Sequence, residues 1–364
     1  MRGPARLVAG LLAVMCLLVG CSSSTTRRRA PAPATVSLQR MLGQRIMVGF
    51  PGMVASPTLL ERIRHGDLGA VILFGANISS AARARALTAS LQRAASAGGN
   101  PPLLIAVDQE GGEVRRFADA PPQLSPSQMV ASHRPRVAYQ QGLATGRFLH
   151  GVGVNLDLAP VVDVPSSADA FIAEQGRAFA ARASTVATYA GPFAAGVQAA
   201  GVAATAKHFP GLGTATVSTD DQLDVLHPTP AQLDQALVPY RELIAQGIDC
   251  VLVTTAAVPA YDPSGRPAAL SARIITGLLR DRLGFKGVTI TDSLAGPTGY
   301  GEIRAGALAA RAGTDILLFT DDAPGELTAL LAEARSGALS AASIAAAYAR
   351  IVALKDALAG HGGS

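Results

Sequence analysis

The sequence predicts an α/β fold in which eight parallel strands alternate with helices, a (β/α)8 TIM-type barrel built as one domain. Two observations carry this. Short, β-rich apolar runs recur eight times along the chain, and Ala- and Leu-rich segments of helical spacing lie between them. Near-continuous apolar strands are buried on both faces, which points to a parallel sheet covered by its own crossover helices. Eight such units suit a closed barrel better than a doubly wound sheet, the alternative architecture.

The runs, in order, are IMVGF (46–50), AVILFG (70–75), LLIAVD (103–108), VNLDLAPVVDV (154–164), ATAKHFPG (204–211), CVLVTTAAV (250–258), GVTITDSL (287–294) and DILLFT (315–320). Helical spacing is clear in 82–97, 183–200 and 229–247, and 340–359 reads as a closing amphipathic helix. No composition break interrupts the chain after residue 37, so residues 38–360 are expected to form the barrel domain.

The N-terminal segment has a different character. Arg2 and Arg6 precede an apolar run that is short for a bilayer span and ends in small residues before Cys21. Leu18-Val19-Gly20-Cys21 resembles a bacterial lipobox, which implies a signal peptide over 1–20, cleavage before Cys21 and acylation of that residue. An ordinary cleaved signal peptide is the alternative. Residues 21–37, Pro-rich and small, read as a flexible tether. The expected location is the outer face of the cell membrane, held by lipid.

The basic balance belongs to this tail. Of 31 Lys and Arg residues, five arginines precede position 30, and the remaining 26 match 26 acidic residues. The folded part is formally neutral, which gives no case for nucleic acid. Three cysteines supply no disulfide framework: Cys16 leaves with the signal, Cys21 is acylated, and Cys250 reads as a small buried hydrophobe.

Barrels of this kind carry their chemistry at the C-terminal ends of the strands. The polar residues there are Asp108, Asp157, Asp163, Lys207, His208, Asp292, Asp321 and Asp322. A buried strand gains nothing from ending in a charge unless solvent or substrate meets it. Asp292-Ser293 and Asp321-Asp322 could instead cap helices. The chain has no G-x-S-x-G, no P-loop and no H-E-x-x-H, and its six histidines lack metal-ligand spacing. An acid-rich mouth with few aromatics suits a polar, hydroxylated substrate.

AVDQEGGEVRRF (106–117), AKHFPGLG (206–213) and the 270–294 stretch ending in ITDSL together resemble glycoside hydrolase family 3. They resemble in particular its NagZ-type single-domain β-N-acetylhexosaminidases, over about residues 38 to 355. The resemblance implies a single catalytic domain that hydrolyses glycosides with retention, through a glycosyl-enzyme intermediate. It places the nucleophile on Asp292 and substrate-binding roles on Asp108, Arg116, Arg177, Lys207 and His208. Gly111 and Gly112 permit the tight turn after Asp108. No metal or organic cofactor is implied; the partners expected are a carbohydrate and, through the anchor, the membrane, with the chain acting as a monomer.

The sequence departs from the family pattern in one loop. An Asp-His pair serves there as general acid/base, whereas this chain has Ser218 at the Asp position and Asp220 at the His position, with Leu212 in place of another histidine. Three expectations follow. Asp220 (or Asp221, if the loop shifts by one) is itself the acid/base with a raised pKa; His227 swings in; or the chain binds glycans without turnover. The expected substrate is an N-acetylglucosaminide of peptidoglycan, a muropeptide or a related glycan, with β-glucosidase or phosphorolytic chemistry as variants.

Overall fold

The first apolar run forms β1, Ile46–Val48, and it is joined on both sides by strands from opposite ends of the chain. In this computed structural model, Met1, residues 36–319 and residues 323–360 are described. The signal segment, Cys21, nearly all of the tether, and Asp321 and Asp322 lie outside the described residues. The other barrel strands are β2 (Ala70–Leu73), β3 (Leu104–Val107), β4 (Leu156–Asp157), β5 (Ala203–Phe209), β6 (Cys250–Val253), β7 (Val288–Thr291) and β8 (Leu317–Phe319).

All neighbouring strands in this sheet pair in parallel, in chain order, and β8 pairs with β1 through Ile46↔Leu317 and Met47↔Leu318. The last seam, between β7 and β8, is closed by a bridge at Ile290↔Ile316 and by Leu294 N–H donating to the Leu318 carbonyl at 3.0 Å. That closure makes the sheet a barrel and excludes the doubly wound alternative. Each strand is followed by a helix: α1 (Pro57–His65), α2 (Ala81–Ala97), α3 (Pro135–Gly151), α4 (Ala183–Ala199), α5 (Pro230–Ala245), the π-helical α6 (Arg273–Arg282), α7 (Glu302–Ala312) and α8 (Ala323–Ser336). Ala341–Gly360 closes the domain.

Strand alternation splits the core into two layers. Met47, Ile72, Leu104, Leu156, Cys250, Leu252, Ile290 and Leu318 fill the barrel interior, and Cys250 is buried and free as expected. The intervening Val48, Val71, Ile105, Val107, Val251 and Val253 face out and pack under the helices. Helix starts are capped by local chemistry: Thr229 and Gln232 form a reciprocal capping box around Pro230 at the start of α5. Small residues let α3 and α4 come close, since a Cβ at Gly142 would lie 2.0 Å from the Phe193 carbonyl oxygen.

The structure shortens several expected strands. Of 154–164 only Leu156–Asp157 pairs as a strand; the chain then runs through a cis Ala159-Pro160 bond to a single bridge at Val161↔Lys207. Proline cannot donate to a ladder, which ends regular pairing there. A hairpin, Gln109–Gly111 with Val114–Arg115, also follows β3 and was not legible as strand. At the opposite end of the barrel, Arg45, Arg280 and Arg350 gather around the buried Asp315, and Lys355 from the closing helix donates to Gln44 and Gly69. Arg45 and Asp315 lie just before β1 and β8, and Lys355 reaches Gly69 just before β2, so the cluster lies at the floor and not at the mouth.

Candidate active site

The loops after the strands enclose a pocket of about 310 Å³. Asp108, Arg116, Arg177, Lys207, His208, Ser218, Asp220 and Asp292 all line it, although the sequence disperses them over nearly two hundred positions. A second cavity of about 240 Å³ lies behind the β5 loop, lined by Pro165, Pro210, Leu233 and Tyr261 among others. Its lining carries no charged side chain, so proton transfer belongs to the first pocket.

One wall is a network of fixed charges. Lys207, at the end of β5, places Nζ 2.7 Å from Asp108 Oδ1 and 2.7 Å from Glu110 Oε1. Arg177 grips Glu110 with both Nε and Nη2 at 2.8 Å, a bidentate pair. Arg116 Nη2 reaches Asp108 Oδ2 at 3.3 Å while its guanidinium lies over the Phe74 ring. Gly111 and Gly112 make the turn that brings Arg116 back, with φ of 99° and 63°. A Cβ at Gly111 would stand 2.7 Å from the Leu124 carbonyl oxygen.

Burial opposes the charge on Asp108, Glu110, Arg177 and Lys207, yet the partners prevail. Against that penalty, Lys207 and Arg177 hold Glu110 down at about 2. Lys207 likewise outweighs burial to lower Asp108, and Asp108 with Glu110 raises Lys207. The wall is therefore ionised at neutral pH, and Lys207 has no free lone pair with which to act as a base. Behind it, Asp157 accepts from Gln109 N–H at 3.1 Å with Oδ1, while Oδ2 has no hydrogen-bond partner among the described residues. Burial raises its pKa well above the ordinary carboxylate value.

His208 is held from behind. Its Nδ1 lies 2.7 Å from Asp163 Oδ2, and Asp163 Oδ1 accepts from the His208 and Leu212 backbone N–H groups at 3.2 and 2.7 Å. Its Nε2 lies 3.4 Å from Arg177 Nη2. Arginine only donates, so in the neutral ring Nε2 accepts and the proton sits on Nδ1, facing Asp163.

The two carboxyl groups of interest come from different loops. Asp292 follows β7 directly; its N–H donates to the Val253 carbonyl at 2.8 Å and its Oδ1 accepts from Ser293 N–H at 3.0 Å. It caps no helix, because α7 starts only at Glu302. Asp220 sits at the pocket mouth in the loop between β5 and α5. Its side chain keeps contact with solvent, but the protein packed around it raises its pKa and Asp292 raises it further, with His208 and Arg177 opposing.

Ser218 does not pair with the Asp220 carboxyl group. Its Oγ accepts from Asp220 N–H at 3.1 Å, and its carbonyl accepts from the N–H groups of Asp221 and Gln222, each at 3.2 Å. It is the cap of the turn that presents Asp220. Asp221 and His227 are exposed and neither lines the pocket; Leu212 does, as a buried apolar side chain. Among the described residues no three His, Cys, Asp or Glu side chains are grouped to hold a metal ion.

Sequence reasoning missed Glu110 as the hub of the charged wall and left Asp163 without a task. A signal existed for both. Glu110 is a second acid inside the Asp108 motif, and Asp163 is the acid that follows the apolar stretch Leu158–Val162.

The arrangement has counterparts in known proteins. The family model described as the glycosyl hydrolase family 3 N terminal domain matches residues 35–354. A protein of Nitrosomonas eutropha named beta-hexosaminidase is 32% identical over 288 residues, covering 76% of this chain and 80% of that one. A solved family 3 beta-N-acetylglucosaminidase from a Paenibacillus species superposes with a TM-score of 0.86 at 33% identity, over 90% of this chain and 64% of that longer one. A solved beta-N-acetylhexosaminidase from Beutenbergia cavernae gives a TM-score of 0.81 at 33% identity, over 89% of this chain and 99% of the other.

Proposed function

The chain belongs to glycoside hydrolase family 3 and is a glycoside hydrolase; on that premise we propose that it is a retaining, exo-acting β-N-acetylglucosaminidase. The observation that carries the mechanism is that Asp292 and Asp220 line one pocket and are electrostatically coupled. Asp292 attacks the anomeric carbon as its leaving-group bond breaks, while Asp220 delivers its proton to the departing oxygen. Asp220, now ionised, takes a proton from the water that releases the sugar from Asp292. The raised pKa suits Asp220 to hold that first proton, and the backbone N–H of Ser293 supports the charge on Asp292.

The charged wall supplies binding. Asp108 keeps its carboxylate fixed between Lys207 and Arg116, so its remaining lone pairs can accept from adjacent sugar hydroxyls. His208 offers Nε2 beside Arg177 at the same level of the pocket. The 2-acetamido preference is carried over from the relatives named for it, and the substrate we infer is a peptidoglycan- or muropeptide-derived glycan. An acylated Cys21 and the tether would hold the domain at the outer face of the membrane, next to that polymer.

The test is trapping with a 5-fluoro N-acetylglucosaminyl donor, followed by peptide mapping. An adduct on Asp292, with rescue of Asp220→Ala by azide to give a glycosyl azide, is the expected result. Turnover that survives Asp292→Ala, or an adduct on another carboxylate, overturns the assignment. A protein that binds the sugar but cleaves neither activated nor natural glycosides would instead be a glycan-binding lipoprotein.

A further inference from the structure

The loop that carries Asp292 is tied into the barrel: Asp292 N–H bonds β6 and Leu294 N–H bonds β8. The loop that carries Asp220 is anchored at its ends, where Phe171 N–H donates to the Ala215 carbonyl and Leu226 N–H to that of Ala257. Between those anchors the Ser218–Gln222 turn is closed by its own hydrogen bonds. The Asp292 loop meets the exposed turn at a small residue, Gly296. A Cβ built on Gly296 would stand 3.2 Å from the Thr219 carbonyl oxygen, 3.6 Å from Asp220 Cα and 3.7 Å from the Asp220 carbonyl oxygen. Three residues on, a Cβ on Gly299 would meet Leu223 at 3.7 Å, so the same two loops meet again.

We propose that Gly296 is a positioning residue: its missing side chain lets the Asp220 turn seat against the Asp292 loop and thereby sets the reach of the acid/base to the scissile oxygen. This rests on the assignment of Asp220 and Asp292 above. Gly296 does not have the positive φ that reserves a position for glycine, so what opposes a side chain there is crowding and not backbone conformation. The contact is tight enough that an added methyl must displace its neighbour by a few tenths of an ångström. The exposed turn, not the anchored loop, is the side that gives. Acid catalysis falls steeply with such displacement, because misplacement by ~1 Å can cost on the order of 10²-fold.

The experiment compares kcat/KM for an N-acetylglucosaminide with a poor, alkyl leaving group and for its dinitrophenyl analogue. Bond breaking in the second needs little proton transfer, so it reports the nucleophile alone. Gly296→Ala should lower the poor-leaving-group value about tenfold and Gly296→Val about a hundredfold, with the activated substrate changed by about twofold or less. Ala295→Ser, on the same loop and exposed, is expected to leave both values unchanged. Azide should accelerate the Gly296 variants on the activated substrate as it does Asp220→Ala. Equal losses on both substrates, or no loss on either, refute the role of Gly296; Gly296→Ala decides alone should the valine variant not fold. If Asp220→Ala itself shows no leaving-group selectivity, the acid/base assignment has failed instead.

Discussion

Asp163 binds the end of β5 and the loop after it at three points, accepting from His208 Nδ1 at 2.7 Å and from the backbone N–H groups of His208 and Leu212. One buried carboxylate thus fixes both the tautomer of a pocket-lining imidazole and the course of the chain toward Ser218 and Asp220.

Asp163→Asn should separate these two effects from folding. In either orientation the amide sets one N–H against another donor, the imidazole Nδ1–H or the backbone. If it donates to Nδ1, the ring proton moves to Nε2, where Arg177 is already a donor. We expect kcat/KM to fall on the order of 10- to 100-fold with the fold retained, and the nitrogen chemical shifts of His208 to report the exchanged tautomer. Asp163→Ala, which strands three donors, should cost roughly 2–4 kcal/mol of stability in denaturant titration.

Glu110 provides a pH-dependent test of the charged wall. Its carboxyl group is held at about 2 in the fold against an ordinary value of 4.5, so between those values the unfolded chain binds the extra proton. Stability from this group is therefore complete above about pH 4.5 and is lost as pH falls through 2. Glu110→Gln leaves Lys207 and Arg177 buried without their shared anion and should cost roughly 3–5 kcal/mol at pH 7. The difference between wild type and variant should shrink at pH 3, measured by chemical denaturation of both. A difference independent of pH would show that the pairing is not what holds Glu110 down.

Much of this was legible in the sequence. The apolar runs set the strands, and a strand-end rule then gathered Asp108, Lys207, His208 and Asp292 at one mouth. Less legible was who pairs with whom. Arg177 meets Glu110 across 67 positions and His208 meets Asp163 across 45, and such pairs arise only when the barrel closes. Ser218 was legible as an odd residue at an expected position. Its work as a turn cap depends on local backbone geometry that residue identity does not specify. The strand at 154–164 was overextended because β-rich composition persists past Asp157, where regular pairing ends.

At the floor of the barrel, Lys355 Nζ donates to Gln44 Oε1 at 2.5 Å and to the Gly69 carbonyl at 2.8 Å, with no acid among the described residues paired to it. Burial lowers its pKa from 10.5 to about 7. Between those values the unfolded chain holds the proton and the fold does not, so stability rises with pH across that window. Below about pH 7 the penalty of the buried charge is present in full. Wild type should therefore gain stability from pH 7 to pH 9.5 relative to Lys355→Met, by urea titration of each. Parallel curves for the two proteins would remove Lys355 as the cause.

Asp220 should show the trade between stability and catalysis most directly. Its pKa is raised in the fold, first by the protein packed around it and then by Asp292. From the ordinary 3.8 up to the raised value the fold binds the proton better than the unfolded chain, so stability from this group is lost as pH rises through that window. Asp220→Asn removes the charge and should melt higher than wild type at pH 7, with the gain gone at pH 3. Activity should move the other way. The acid must be protonated to assist a poor leaving group, so wild-type kcat/KM on an alkyl glycoside should fall on an alkaline limb set by Asp220. That limb should be absent in Asp220→Ala, whose remaining turnover on the same substrate should be lower by about 10²- to 10⁴-fold. An alkaline limb that persists in Asp220→Ala would place the proton donor on another side chain.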